Sequence, residues 1–412
     1  MPMSNGFKSR LDPILRDVIK EYGTPFHIYD EKEIIENGER LKATFAEFPG
    51  FQEFFAVKAC PNLAILSIMR DLGFGFDCSS IPELAITRNI ISATGEQLMF
   101  TSNNTSMCEF ETAAADGGCI LNLDDITMVS KVREFPELIC FRYNPGVRRR
   151  GNDIIGNPVE AKYGVTDDQI VKAYRLARDR GAKRFGLHTM ICSNQLDYTY
   201  MVATVKMVLE VVEKISKTLG IKFEFVNVGG GIGIPYRPEQ SEFNISAFAA
   251  ESKELFESFK DKFGYAPKLF MECGRYMTGP YGVLVTTVIN RMSKYREYVG
   301  VDACMSSLMR PALYDAYHHQ TVFGGEGRET EIVDVVGSLC ENNDKFAKQR
   351  ELPKTKEGDI IIIQDAGAHG YAMGFQYNGR LRPKELLLHI DGTVELIRRE
   401  ETLDDLLSTF RF

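Results

Sequence analysis

Between residues 53 and 273 the chain alternates short apolar, β-rich runs with polar or amphipathic stretches. The predicted strands are 53–59, 75–78, 98–101, 119–123, 138–143, 184–189, 223–228 and 268–273. "NLAILSIMRDL" follows the first and "YTYMVATVKMVLEVVEKISKTL" the sixth, both with the apolar spacing of helices that cover a sheet. Eight strand–helix repeats in one segment predict an α/β fold of the TIM (β/α)8 barrel type. Past residue 280 the texture changes. "GVLVTTVINRM", "EIVDVVGSL", "GDIIIIQDAG" and "TVELIRRE" are strand-like, with few helices between them. They predict a C-terminal β-sandwich or β-barrel domain, and the early run "TPFHIYD" (24–30) is expected to pair with it. The implied organisation is an N-terminal segment over 1–36 that joins the β domain, a barrel over 37–280, and the β domain over 281–412.

Composition narrows the function classes. The 412 residues suffice for two sizeable cores. A hydrophobic content of 44% and a charged content of 26% match a soluble globular protein. The net charge of −8 argues against nucleic acid or an anionic membrane as partner, because both demand a basic face. No run of apolar residues reaches membrane-spanning length, and "MPMSNGFKSR" has no apolar signal core, so a cytoplasmic location is expected. The nine cysteines are odd in number and form no CxxC pair, which argues against a disulfide framework or a zinc finger. His318 and His319 lack companion ligands at metal-binding spacing, so no metal is expected.

A barrel of this kind carries its chemistry at the C-terminal ends of its strands. The first predicted strand runs through "FFAVK" and puts Lys58 there. On that stretch alone, a strand ending in a solvated ammonium explains the residue. The other strand ends change the balance. Strand seven runs into "GGGIG" (229–233), where Gly229, Gly230 and Gly231 let backbone N–H groups approach an anion. Strand eight runs into "ECGR", where Glu272 offers a carboxylate and Arg275 a fork of donors. Pyridoxal 5′-phosphate needs a Schiff-base lysine, a phosphate cradle and an acidic partner for its pyridine nitrogen. Lys58, the glycines with Arg275, and Glu272 match those three needs.

"FAVKACPN", "GFDCSSIPEL", "GGGIGIPY", "ECGRYM", "MRPALYDAYH", "GSLCENND" and "DAGAHGYAMGFQYNGR" together resemble the fold type III (alanine-racemase-like) decarboxylases that use pyridoxal phosphate. Within that family the likeness is to the diaminopimelate decarboxylases, and it spans nearly the whole chain in consistent order. The resemblance implies a homodimer with active sites shared across its interface, and a small amino-acid substrate. It makes Lys58 the cofactor-bearing lysine and Cys340 a proton donor delivered from the partner subunit. Around the cofactor it places His188, Met190, Ser193, Gly229, Gly230, Gly231, Glu272, Gly274, Arg275 and Tyr377. Around the substrate it places Arg275, Arg310, Tyr314, Glu341 and Tyr377. Asp344 either positions the Cys340 loop or is an ordinary turn residue.

The implied reaction is decarboxylation of meso-2,6-diaminopimelate to L-lysine. The alternatives are a related decarboxylase of ornithine, arginine or carboxynorspermidine, or a non-catalytic regulatory homologue. Two departures from the family pattern stand out. The family's "HxHIGS" reads "HTMICSN" here, with Met190 in place of the second histidine, and the tyrosine of "GAYG" is His369. The run "RRRGN" (148–152) reads as a solvated loop, with contact to an anionic substrate as the other reading.

Overall fold

The structure, a computed structural model, describes residues 2–48, 50–151 and 156–411. It divides into two compact units. One comprises Met1–Asn37, Ile234–Glu242 and Arg275–Phe412, and the other Gly38–Gly233 and Phe243–Gly274.

The first strand, β1 (Phe26–Asp30), belongs to the former unit. The latter holds β2 (Gln52–Ala56), β3 (Gly75–Cys78), β4 (Leu98–Phe100), β5 (Ile120–Leu123), β6 (Leu138–Arg142), β7 (Arg184–His188), β8 (Phe225–Asn227) and β9 (Lys268–Met271). These eight pair in parallel in that order, and β9 returns to β2 to close a barrel. All eight predicted strands are present, most of them trimmed at their ends. One difference matters for the chemistry. Lys58, expected at a strand tip, sits in a single 3-10 turn, Val57–Ala59, just past β2.

The barrel closes because its interior is filled by rings. Phe54, Phe225 and Phe270 are buried with Met99, Ile120 and Cys140, and the Phe225 and Phe270 rings stack with centroids 4.3 Å apart. Small residues on neighbouring strands make room for them. Gly75 is the register partner of Phe54 and Gly186 of Phe225. A Cβ on either would fall 2.6 Å or less from the facing ring. Outside the strands, the helix Tyr198–Leu219 buries Met201, Val205, Val208, Val212 and Ile215, alternating steps of four and three that mark one helical face. Asp197 caps its start and Gly220, in the left-handed region, ends it. Arg148 and Arg149 of the "RRRGN" run are tied to this helix. Arg148 bonds Glu210 at 3.0 Å and Arg149 lies over Tyr200, so neither is simply solvated. Asn152 of that run lies outside the described residues.

The other unit adds β10 (Gly282–Ser293), β11 (Glu297–Val301), β12 (Gln320–Val322), β13 (Thr330–Val336), β14 (Lys345–Pro353), β15 (Ile360–Ile363), β16 (Lys384–Leu388) and β17 (Val394–Arg398). With β1 they form a nine-stranded sheet whose main path is β14-β13-β11-β10-β1-β16-β17, and β15 joins β10 to β12. The expected pairing of the early strand is present: β1 runs antiparallel to β10 and parallel to β16. β10 serves two groups of strands. Its first half pairs with β1 and β15, and beyond an irregularity at Val288/Asn290 it pairs with β11. The helices Asn5–Leu11 and Leu15–Tyr22 supply Phe7, Leu11, Leu15 and Val18 to the core around β1. Among the described residues no helix is long and apolar enough to cross a membrane.

Candidate active site

Register brings the barrel's polar groups together. Ala56 pairs with Asp77 across β2 and β3, so a residue two positions past Ala56 meets the end of β3. Lys58 Nζ donates to Asp77 Oδ2 at 2.9 Å and to Ser79 Oγ at 3.3 Å. The surrounding protein disfavours the charged amine although its side chain is 47% exposed, but Asp77 and Glu272 outweigh this and raise the pKa, so the amine is held as a cation. Asp77 is fully buried, and desolvation with the nearby Glu272 charge raises its pKa against the pull of Lys58. Sequence reasoning missed Asp77. Its signal lay in plain view, as a carboxylate inside the apolar run "GFDC".

A second row forms across β6, β7 and β8, where Arg142 pairs with His188 and His188 with Asn227. All three are buried. Glu272 follows β9 and meets two members of this row. Asn227 Nδ2 donates to its Oε1 at 2.8 Å, and His188 Nε2 lies 3.3 Å from its Oε2. Burial pushes the Glu272 pKa up, but His188, Lys58 and the Asn227 amide outweigh it and hold the carboxylate ionised. His188 Nδ1 is buried without a hydrogen-bond partner among the described residues. Arg142, also missed, donates to the Met190 carbonyl at 3.3 Å and lies 3.7 Å from the Tyr163 ring centroid.

The triple glycine tests whether a phosphate fits. Asn227 Oδ1 accepts from the Gly229 N–H at 2.8 Å and pins the start of the turn. Gly229 and Gly231 have φ of +70° and +95°. A Cβ on Gly230 would meet the Glu272 carbonyl at 2.3 Å, and one on Gly231 the Cys192 carbonyl at 2.7 Å. The Gly230 and Gly231 N–H groups donate no hydrogen bond to any described residue. A cradle without side chains, with free donors, suits an anion. Gly230→Ala should therefore cost about 3 kcal/mol through overpacking and weaken cofactor retention on dialysis. Thermal unfolding and bound-cofactor absorbance measure the two effects. Gly274 has a packing reason of its own, since a Cβ there would lie 2.5 Å from Ala59 Cβ. Met190 and Ser193, the remaining barrel residues expected at the cofactor, are both partly exposed in the segment after β7.

The other expected residues lie in the β-rich unit. Arg275 Nη1 donates to Tyr236 Oη at 2.5 Å, and the Arg310 guanidinium sits 4.7 Å from the centroid of the same tyrosine ring. Both arginines are buried, and Tyr314 closes the short helix Arg310–Tyr314, half exposed. Tyr236, missed in the sequence, is the shared floor of this pair. Cys340, Glu341 and Tyr377 form a separate group. The Cys340 N–H donates to Asn378 Oδ1 at 2.6 Å, which ties the cysteine to the residue after Tyr377. Asp344 is buried and accepts from the Met305 N–H at 2.7 Å and the Leu339 N–H at 2.8 Å, so it braces the loop rather than merely turning it. The Cys340 side chain is exposed.

With this geometry in place, comparison with known proteins identifies the family. Residues 32–279 match the pyridoxal-dependent decarboxylase, pyridoxal binding domain. The chain is 47% identical over 407 residues to Protein TabA of Pseudomonas amygdali pv. tabaci, covering 98% of this chain and 95% of that one. It is 36% identical over 399 residues to a diaminopimelate decarboxylase of Methanothermobacter thermautotrophicus, covering 95% and 92%. A crystal structure of diaminopimelate decarboxylase from M. jannaschii with L-lysine superposes with a TM-score of 0.87 at 30% identity, covering 96% of this chain and 94% of that one. The chain belongs to the pyridoxal-dependent decarboxylases, and it is a carboxy-lyase that works with pyridoxal phosphate.

Proposed function

We propose that the chain decarboxylates meso-2,6-diaminopimelate to L-lysine and carbon dioxide. The observation that carries this reading is the pair of buried guanidiniums, Arg275 and Arg310, held against Tyr236. The Arg310 guanidinium, out of water against the His318 and Tyr236 rings, favours an anion beside it. A carboxylate at the far end of a diamino acid supplies one, whereas ornithine has none there. The relatives named diaminopimelate decarboxylase, at 36% identity and below, agree with this choice.

When bound, pyridoxal phosphate supplies an aldehyde for an amine and a cationic ring that accepts the electron pair left as carbon dioxide departs. Lys58, the 229–231 turn and Glu272 would hold it, with His188, Met190, Ser193 and Tyr377 as further contacts. Asp77 orients Lys58 Nζ and would stabilise its charge whenever that amine is not bonded to the cofactor. Ionised Glu272, fixed by Asn227 and His188, keeps a proton on the group it faces. Arg310, with Tyr314 and Arg275, binds the distal carboxylate, and Glu341 the amine beside it. Cys340 Sγ gives its proton to the carbon that has lost carbon dioxide. In the proposed homodimer the Cys340 loop is delivered to the partner's site.

A second reading is a related decarboxylase of another amino acid. Met190 in the family's histidine position favours it, as does the 47% identity to a protein whose name states no reaction. Turnover of meso-diaminopimelate, ornithine, arginine and carboxynorspermidine by the holoenzyme decides between them. A kcat/KM for diaminopimelate at least ~100-fold above the others is expected. Preference for a substrate without a distal carboxylate overturns the assignment.

A further inference from the structure

Arg310 is not left to orient itself. Its Nη1 lies 2.7 Å from Nε2 of His318, eight residues on, and the other ring nitrogen, Nδ1, lies 2.8 Å from the Gln364 carbonyl oxygen. The chemistry of the partners fixes the tautomer. A guanidinium can only donate, so Nε2 must accept. A carbonyl can only accept, so Nδ1 must carry the hydrogen. His318 is wholly buried and stacks edge-on against Tyr236 at 5.1 Å, the ring that also underlies Arg310. Burial and the Arg310 charge both hold its pKa well below the ordinary value, so the neutral acceptor form persists. A buried histidine beside a buried arginine is an odd choice for stability alone, because any protonation would set two cations against each other. It is a sensible choice if the guanidinium must present a fixed edge.

Resting on the substrate reading above, we propose that His318 is a positioning residue. As a neutral Nδ1–H tautomer braced by the Gln364 carbonyl, it fixes the Arg310 fork and thereby sets the preference for ligands with a distal carboxylate over those with only a distal amine. Tyr236 limits tilt of the guanidinium plane and His318 limits its rotation. The bidentate geometry that a carboxylate requires is then built before the ligand arrives.

The test compares L-lysine, which keeps the distal carboxylate, with 1,5-diaminopentane, which lacks it. Both are titrated calorimetrically into the holoenzyme, with cofactor absorbance and thermal unfolding recorded alongside. His318→Phe keeps a buried ring but removes the acceptor. It should weaken L-lysine about 10- to 100-fold, the range of a charge-assisted hydrogen bond, and leave 1,5-diaminopentane within about twofold. His318→Gln, whose side-chain oxygen can still accept from Arg310, should recover most of the L-lysine affinity. Equal weakening of both ligands, unchanged L-lysine binding, or a glutamine variant no better than phenylalanine overturns the proposal. Should the phenylalanine variant fail to fold, the glutamine variant and the wild-type ring tautomer decide. A 15N–1H spectrum showing hydrogen on Nε2 of His318 overturns the proposal. If the wild type binds the two ligands equally, the substrate reading falls and takes this inference with it. A wild-type preference that survives His318→Phe removes this inference alone.

Discussion

Lys58→Ala is expected to lower decarboxylation by about 10⁴-fold or more and to yield a protein that borohydride no longer links to its cofactor. The size of the effect follows from what surrounds the amine. Lys58 Nζ is held 2.9 Å from a fully buried aspartate that has no other cation bonded to it among the described residues. Removing the ammonium strands Asp77 as an unpaired buried carboxylate near Glu272, and the charge balance of both groups changes at once. Two losses therefore coincide: the nucleophile, and the cation that pulls the pKa of both acids down. Mass spectrometry after borohydride treatment should locate the label on the peptide containing Lys58 in the wild type and nowhere in the variant. A variant that retains more than a few per cent of wild-type turnover removes Lys58 from the chemistry.

The parts of the fold that the sequence displays are those whose side chains obey one strong rule. The barrel strands are buried on both faces, so each reads as a short, mostly apolar run broken only by the few polar residues the site uses or the strand ends carry, and all eight are legible. The helix Tyr198–Leu219 matches its predicted span because one face is apolar throughout and both ends are capped. The sheet of the other unit is harder to read. β14, "KFAKQRELP", lacks a period-two pattern, since Phe346 and Ala347 are buried side by side and a mostly polar, exposed stretch separates them from Leu352, and β12 has three residues, too few for a period. β16, "KELLL", opens on a lysine and a glutamate that are buried because Lys384 reaches the Tyr22 carbonyl and Glu385 receives the Tyr29 hydroxyl. Those partners are more than 350 residues away in sequence and leave no local trace. The site divides in the same way. Lys58, Glu272 and the glycines stand at strand ends and can be inferred from topology. Asp77, Asn227, Tyr236 and His318 act through register or through long loops, and only the folded chain brings them to their partners.

Cys340→Ala should keep the cofactor absorbance of the wild type and lose about 10²- to 10⁴-fold in turnover, the usual worth of a positioned proton donor. The loop that carries this thiol is built for placement rather than burial. Asp344 clamps the backbone at Met305 and Leu339, Asn378 takes the Cys340 N–H, and the side chain is left exposed. The cost of an ordered loop holding an exposed thiol makes sense if the thiol serves a surface other than its own immediate surroundings. Subunit mixing tests that directly. Lys58→Ala and Cys340→Ala proteins, each nearly inactive, are combined and allowed to exchange subunits. If the Cys340 loop completes the partner's site, a hybrid dimer contains one site with both residues intact, and activity should return without any new mutation. If each subunit supplies its own cysteine, every site in the hybrid lacks one residue and the mixture stays inactive. Recovery of activity would also confine the proton donor to this loop, since no other residue differs between the inactive parent and the restored site. Full activity in Cys340→Ala alone would move the proton-transfer role elsewhere, and Tyr377, tied to the same loop through Asn378, would be the next group to replace.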